Sequence, residues 1–154
     1  MVDVTYSQLA VFASALQHPL NDWTDEHVAQ GFAWRPGSVS FRTLVESGPH
    51  AIEINVAECA GSLHPDTVRA IEVPFEVPAD GAIEIGSISD SVLLSLKPGL
   101  LLLRCEFLGH TGDIRQHVRL TFSTKDIVRF AIVRADEALT PDRNLLESAE
   151  AAIG

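Results

Sequence analysis

Residues 71–88, IEVPFEVPADGAIEIGSI, settle the fold class before any other part of the chain is read. Ile71, Val73, Phe75 and Val77 fall on one phase of a two-residue period, with Glu72, Pro74, Glu76 and Pro78 on the other. Such alternation belongs to a strand with one buried and one outward face. Ala79-Asp80-Gly81 supplies turn chemistry, because Asp tolerates tight backbone turns and Gly accepts a positive φ. The apolar pattern then resumes from Ala82 to Ile88. Pro74 and Pro78 remove ladder donors on the outward phase, so the first strand is expected at a sheet edge or to be locally irregular.

The same period extends in both directions. Strand patterns occur at 2–13, 39–44, 51–57, 92–96 and 101–107, then around Val118, Leu120 and Phe122, and around Val128, Phe130 and Ile132. Lys97-Pro98-Gly99 marks another tight reversal. Short strands punctuated by turns at this spacing predict an all-β chain, an antiparallel β-sandwich or flattened barrel of about eight strands. With 154 residues, one domain over 1–154 is expected. Two helices are predicted beside the sheets. A short one near 22–31 has Asp22 as its N-cap and Gly31 as its stop, with Val28 and Phe32 on one face. A C-terminal one near 141–152 follows Thr140-Pro141, with Leu145, Leu146 and Ala149 facing inward.

Motifs for catalysis are missing. His18, His27, His50, His64, His110 and His117 form no H-x-H or H-E-x-x-H spacing, and no Gly-rich phosphate loop, nucleophile elbow or Cys-x-x-Cys pair is present. No catalytic residue, metal or cofactor is assigned. Cys59 and Cys105 imply no disulfide framework and read as structural thiols. The N-terminus lacks the basic start and apolar core of a signal peptide, and the aliphatic run Leu100 to Leu103 is far too short to span a bilayer. A cytoplasmic location is expected.

Charge carries more information. Twenty-one Asp and Glu against 11 Lys and Arg give a net charge of -10, a field that disfavours direct nucleic-acid or membrane binding and favours a basic partner. Asp22, Asp25 and Glu26 stand three and four residues apart, hence on one helical face. Trp23 and Trp34 flank them as core residues or as contact anchors. Glu72, Glu76 and Glu84 lie on outward strand phases. These eight residues are the candidate partner-binding set. Two rival readings are a small-ligand-binding sandwich, which requires an enclosed apolar pocket, and a cryptic enzyme, which requires converging carboxylates or histidines.

DWTDEHVAQGFAW (22–34), GSVSF (37–41), VPFEVPADGAIEIGSI (73–88) and LSLKPGLLLLRCEF (94–107) occur in an order that resembles the competence protein J family, the DNA-entry nuclease inhibitors. The resemblance runs from about residue 6 to 108. It implies a non-enzymatic protein that binds and silences a cognate nuclease, with any membrane association made through that partner. No inhibitory residue is carried over from the family. Oligomeric state stays open, although the two prolines of the 71–78 strand oppose sheet extension along it.

Overall fold

The computed structural model describes residues 1–88, 90–109, 115–141 and 144–153. Among them, the chain forms β1 (Val2–Val4), β2 (Gln8–Ala13), α1 (Asp25–Gln30), β3 (Phe32–Arg35), β4 (Ser38–Arg42), β5 (Gly48–Ala57), β6 (Thr67–Val77), β7 (Ala82–Gly86), β8 (Ser91–Ser95), β9 (Gly99–Leu108), β10 (Gln116–Ser123) and β11 (Ala131–Arg134). A six-stranded sheet has the order β1-β5-β10-β9-β6-β11, and a five-stranded sheet the order β3-β4-β2-β7-β8. The expected β-sandwich is therefore present, with more strands than the period-two reading counted.

The decisive stretch folds as its alternation requires. Ile71, Val73, Phe75 and Val77 on β6 and Ile83 and Ile85 on β7 are fully or almost fully buried. They meet Leu9, Val11, Val39 and Phe41 from one sheet and Leu103, Phe107, Leu120 and Phe122 from the other in one core. Each such side chain contributes about 1.5–3 kcal/mol through removal from water. The turn between β6 and β7 carries the chain from one sheet to the other. At its end Gly81 has φ +70°, and a Cβ there would stand 2.6 Å from the Leu96 carbonyl oxygen, so glycine is required.

Pro74 does not sit on an edge strand, because β6 lies between β9 and β11. The pairing with β11 reaches only Glu72, Ile71 and Ala70, so no strand stands beside Pro74 on that side. Its carbonyl accepts instead from the indole N–H of Trp34 at 2.7 Å. The strand tolerates a proline there because no ladder bond is lost. A second departure is the parallel pairing of β10 with β5, from Gln116↔His50 to Ser123↔Ala57, in place of a wholly antiparallel sheet. Parallel neighbours need a long crossover, which the strands between β5 and β10 provide.

The helices also need correction. Thr24, not Asp22, is the N-cap of α1: its side chain accepts from the His27 N–H. Gly31 ends the helix in the left-handed conformation as expected, but Phe32 opens β3 rather than continuing the helical face. No helix forms at 141 or 144–153; residues 142 and 143 lie outside the described residues. Instead the tail runs across α1 without regular structure. Its backbone groups are taken by side chains and by the chain before α1, which leaves them unavailable for helical bonds: Leu146 N–H donates to Gln30 Oε1, Leu146 O accepts from Gln30 Nε2, and Ala152 N–H donates to Leu20 O.

Candidate partner-binding face

An exposed acidic ridge is built by α1 and the tail together. Thr24 holds the first turn by a reciprocal box in which His27, rather than the usual Glu, returns the bond: Thr24 N–H donates to His27 Nδ1 at 2.9 Å. That bond makes Nδ1 an acceptor, so Nε2 carries the proton and donates to Ser148 O at 2.9 Å. One buried imidazole thereby fixes both the helix start and the tail. Asp25 and Glu26 occupy the first turn, exposed, where the helix dipole favours negative charge. Asp22 is exposed beside them, its N–H donating to Glu150 O at 2.8 Å. Exposed Glu147 and Glu150 follow on the tail, extending the ridge. Sequence reading missed these two, since a helical tail would have set them on a different course.

Next to the ridge lies a cleft of about 370 Å³ lined by Tyr6, Ser7, Gln8, Trp23, Val28 and Arg42. Tyr6 is 73% exposed and Val28 41%. The chain crosses there from β1 in one sheet to β2 in the other, with Tyr6 and Ser7 both in the left-handed region at φ 56° and 59°. Non-glycine residues adopt this conformation at a cost of about 1–3 kcal/mol each. The turn is held by Ser7 N–H to Glu46 O and Thr43 N–H to Ser7 O, and it pushes Tyr6 into solvent. Trp23 is half-buried, edge-on to His27, and its indole N–H has no acceptor among the described residues. That N–H is itself buried, so what the cleft offers a partner is the exposed Tyr6 ring and apolar surface, the composition of a contact anchor.

The other candidates separate. Trp34 is not free: its N–H is committed to Pro74 O, and its ring packs edge-on against Phe130 at 5.0 Å, so it joins β3 to β6. Glu72 is contradicted as a surface residue. It does face outward from the core, but it is 1% exposed. The segments 58–66 and 124–130 cover that face of the sheet, and Glu72 accepts from Arg104 Nε at 2.9 Å and from Arg129 Nη2 at 2.8 Å. Glu76 remains exposed near the end of β6. Glu84 is half-buried and accepts from the Ser14 and Ser91 hydroxyls, both at 2.8 Å. The structure thus gathers Asp22, Trp23, Asp25 and Glu26 on one face and leaves Glu76 and Glu84 on other strands.

The family model described as Competence protein J (ComJ) matches residues 1–123. This chain belongs to the competence protein J family. It is 30% identical over 106 residues to a Bacillus subtilis (strain 168) protein named DNA-entry nuclease inhibitor, an alignment covering 68% of this chain and 76% of the relative. A crystal structure described as that of ComJ, inhibitor of the DNA degrading activity of NucA, from Bacillus subtilis shares the fold at TM-score 0.69 and 22% identity, covering 79% of this chain and 91% of the other. Within this ComJ-family chain, the tail that carries Glu147 and Glu150 lies beyond the matched residues.

Buried carboxylates give this ComJ-family fold a defined acid response. Burial alone would push the Glu106 carboxyl up, but the Arg119 guanidinium, the His64 N–H and the Thr67 hydroxyl outweigh it and hold it below the usual range. Asp136 is likewise pushed up by burial and held low, on balance, by Arg69. His50 is lowered by burial; its Nδ1–H donates to Gly48 O, and Nε2 has no partner among the described residues. For all three the unfolded chain takes up protons first as pH falls, so each contributes stability that is complete above its unfolded pKa. Urea-unfolding free energy should decline in two stages: from about pH 6.5 downward through His50, then from about pH 4.3 downward through the carboxylates. His50→Gln should remove the first stage alone; an unchanged profile in that variant would disprove the assignment.

Proposed function

We propose that this chain is a protein inhibitor of a nonspecific nuclease, and that it acts by covering the basic groove in which the nuclease holds DNA. The observation that carries this reading is the 30% identity, over most of both chains, to a protein named DNA-entry nuclease inhibitor. The geometry supplies a mechanism. A nuclease that grips DNA of any sequence relies on contacts to phosphates, and its groove must therefore be positive. The ridge of Asp22, Asp25, Glu26, Glu147 and Glu150 presents carboxylates at positions fixed by the Thr24–His27 box and the His27–Ser148 bond. Preorganised negative charge steers association and competes with DNA, while the Tyr6–Trp23 cleft provides the apolar contact that slows dissociation. No substrate is turned over.

The test uses the immobilised chain to recover its partner from native lysate at low salt, followed by a plasmid-degradation assay on the recovered nuclease. Equimolar inhibitor should abolish degradation at low salt, and raising the salt should restore it as the charged contacts are screened. Full nuclease activity in the presence of excess inhibitor at low salt would overturn the reading.

A further inference from the structure

Of the four sheet edges among the described residues, three are guarded against adding another strand. β1 has three residues and carries Asp3; β3 has four and carries Arg35; β11 has four, a register shift and Arg134. Short length, charge and bulges are the devices that stop edge pairing. β8, the free edge of the five-stranded sheet, has none of them: Ser91-Val-Leu-Leu-Ser95 is regular along its whole length and uncharged. Leu93 is 70% exposed and Val92 38%.

The phase of the β7–β8 ladder shows what this edge offers. Leu96 N–H donates to Gly81 O at 2.9 Å and Ser87 N–H to Asp90 O at 2.7 Å, both on the register that pairs Ala82 with Ser95. Hydrogen-bonded and non-bonded pairs alternate in an antiparallel ladder, so Val92 and Leu94 bond to β7. Ser91, Leu93 and Ser95 turn their N–H and C=O groups to the open side.

We propose that β8 pairs antiparallel with β8 of a second copy about a two-fold axis at Leu93, joining two five-stranded sheets into one. The sequence S-V-L-L-S is suited to this axis. Leu93 meets Leu93 and Ser91 meets Ser95, each pair exchanging both backbone bonds from the groups left free, while Val92 meets Leu94 on the inner face. Charge selects a second copy as the occupant. A net charge of -10 opposes self-association elsewhere on the molecule, but no acid lies between Ser91 and Leu96. With Leu93 on the axis, Asp90 of each copy stands opposite Leu96 of the other, so the acid that precedes the strand meets no acid across the seam. An interface of one strand pair is below the usual ~1,200–2,000 Å² of stable complexes, so the dimer is expected to be weak and concentration-dependent. The proposal is independent of nuclease inhibition.

Sedimentation velocity on the full chain from about 1 to 300 μM, a span chosen to bracket micromolar affinity, should show a reversible shift to twice the monomer mass. Leu93→Lys places two like charges opposite each other and should weaken dimerisation at least tenfold, with thermal unfolding unchanged because this side chain is exposed. Ser95→Pro removes an outward N–H that has no partner among the described residues and should act in the same direction, which covers a failure of the first variant to fold. A monomer at the highest concentration overturns the proposal, including the case in which Leu93→Lys then impairs nuclease binding and assigns the edge to the nuclease instead. A dimer indifferent to both substitutions overturns it as well.

Discussion

Replacing Arg69 with methionine should destabilise the fold by about 3–5 kcal/mol, the range for breaking a buried ion pair from one side. Arg69 is 1% exposed, the largest of the fully buried side chains, and it points from β6 into the core layer. Its guanidinium donates to both carboxylate oxygens of Asp136, at 2.7 and 3.0 Å, and to the carbonyl of Arg42 at 2.5 Å at the end of β4. It also stands 5.8 Å from the centre of the Phe107 ring. A single group therefore connects the two sheets and the segment after β11. Methionine keeps much of the volume but leaves the Arg42 carbonyl and the Asp136 carboxylate without their donors, and the desolvation cost of those groups is then uncompensated. The melting temperature should fall on the order of 10 °C for a chain of this size. Arg129→Ala provides the contrast: that side chain is 57% exposed and shares Glu72 with Arg104, so its loss should cost at most about 1 kcal/mol. Equal effects of the two substitutions in urea unfolding would show that burial of the Arg69 guanidinium does not decide its contribution.

Arg69, Glu72 and Glu106 also mark where sequence reading stopped. Period-two alternation located β5, β6, β7, β9 and β10 because the core imposes it directly: a residue placed one position out of phase would bury a polar group or expose an apolar one. The outer face obeys a different constraint. Glu72, Arg104, Glu106 and Arg119 occupy outward phases, which alternation alone assigns to the face away from the core, yet cross-strand pairing sets Glu72 opposite Arg104 and Glu106 opposite Arg119, and two loops then cover them. Alternation reports which face a side chain takes; it carries no information on whether a later segment covers that face. The tail illustrates the same limit. Thr140-Pro141 and the spacing of Leu145, Leu146 and Ala149 satisfy helix rules locally. Hydrogen bonds from Gln30 and His27, more than a hundred residues earlier, take Leu146 and Ser148 for another purpose. Of the candidate site, the acids of α1 were legible because helical spacing is local. Tyr6 was not, since its exposure follows from a strained crossing between sheets that only the assembled sandwich imposes.

That division of the site into charge and apolar contact leads to the largest effect expected on function. Asp25→Lys/Glu26→Lys should slow association with the nuclease by roughly ten- to a hundredfold at low salt and flatten its salt dependence, the signature of lost electrostatic steering. Both side chains are exposed, so the variant should stay folded, with its unfolding temperature lowered only modestly by placing cations at the positive end of the helix dipole. Tyr6→Ala should behave differently. Truncating an exposed aromatic anchor at a contact centre costs about 2 kcal/mol or more, equivalent to an affinity loss of about thirtyfold, and the change should fall on dissociation because steering is untouched. Glu147→Lys/Glu150→Lys tests whether the tail belongs to the same surface: if it does, the kinetics should shift in the direction of the Asp25/Glu26 variant, with the slope against salt reduced again. Stopped-flow association and surface-plasmon dissociation, each measured across a salt series, separate the three cases. A double charge reversal on α1 that leaves the association rate and its salt slope unaltered would move the inhibitory surface elsewhere on the sandwich. A Tyr6→Ala variant that dissociates at the original rate would remove the cleft from the contact while leaving the ridge in place.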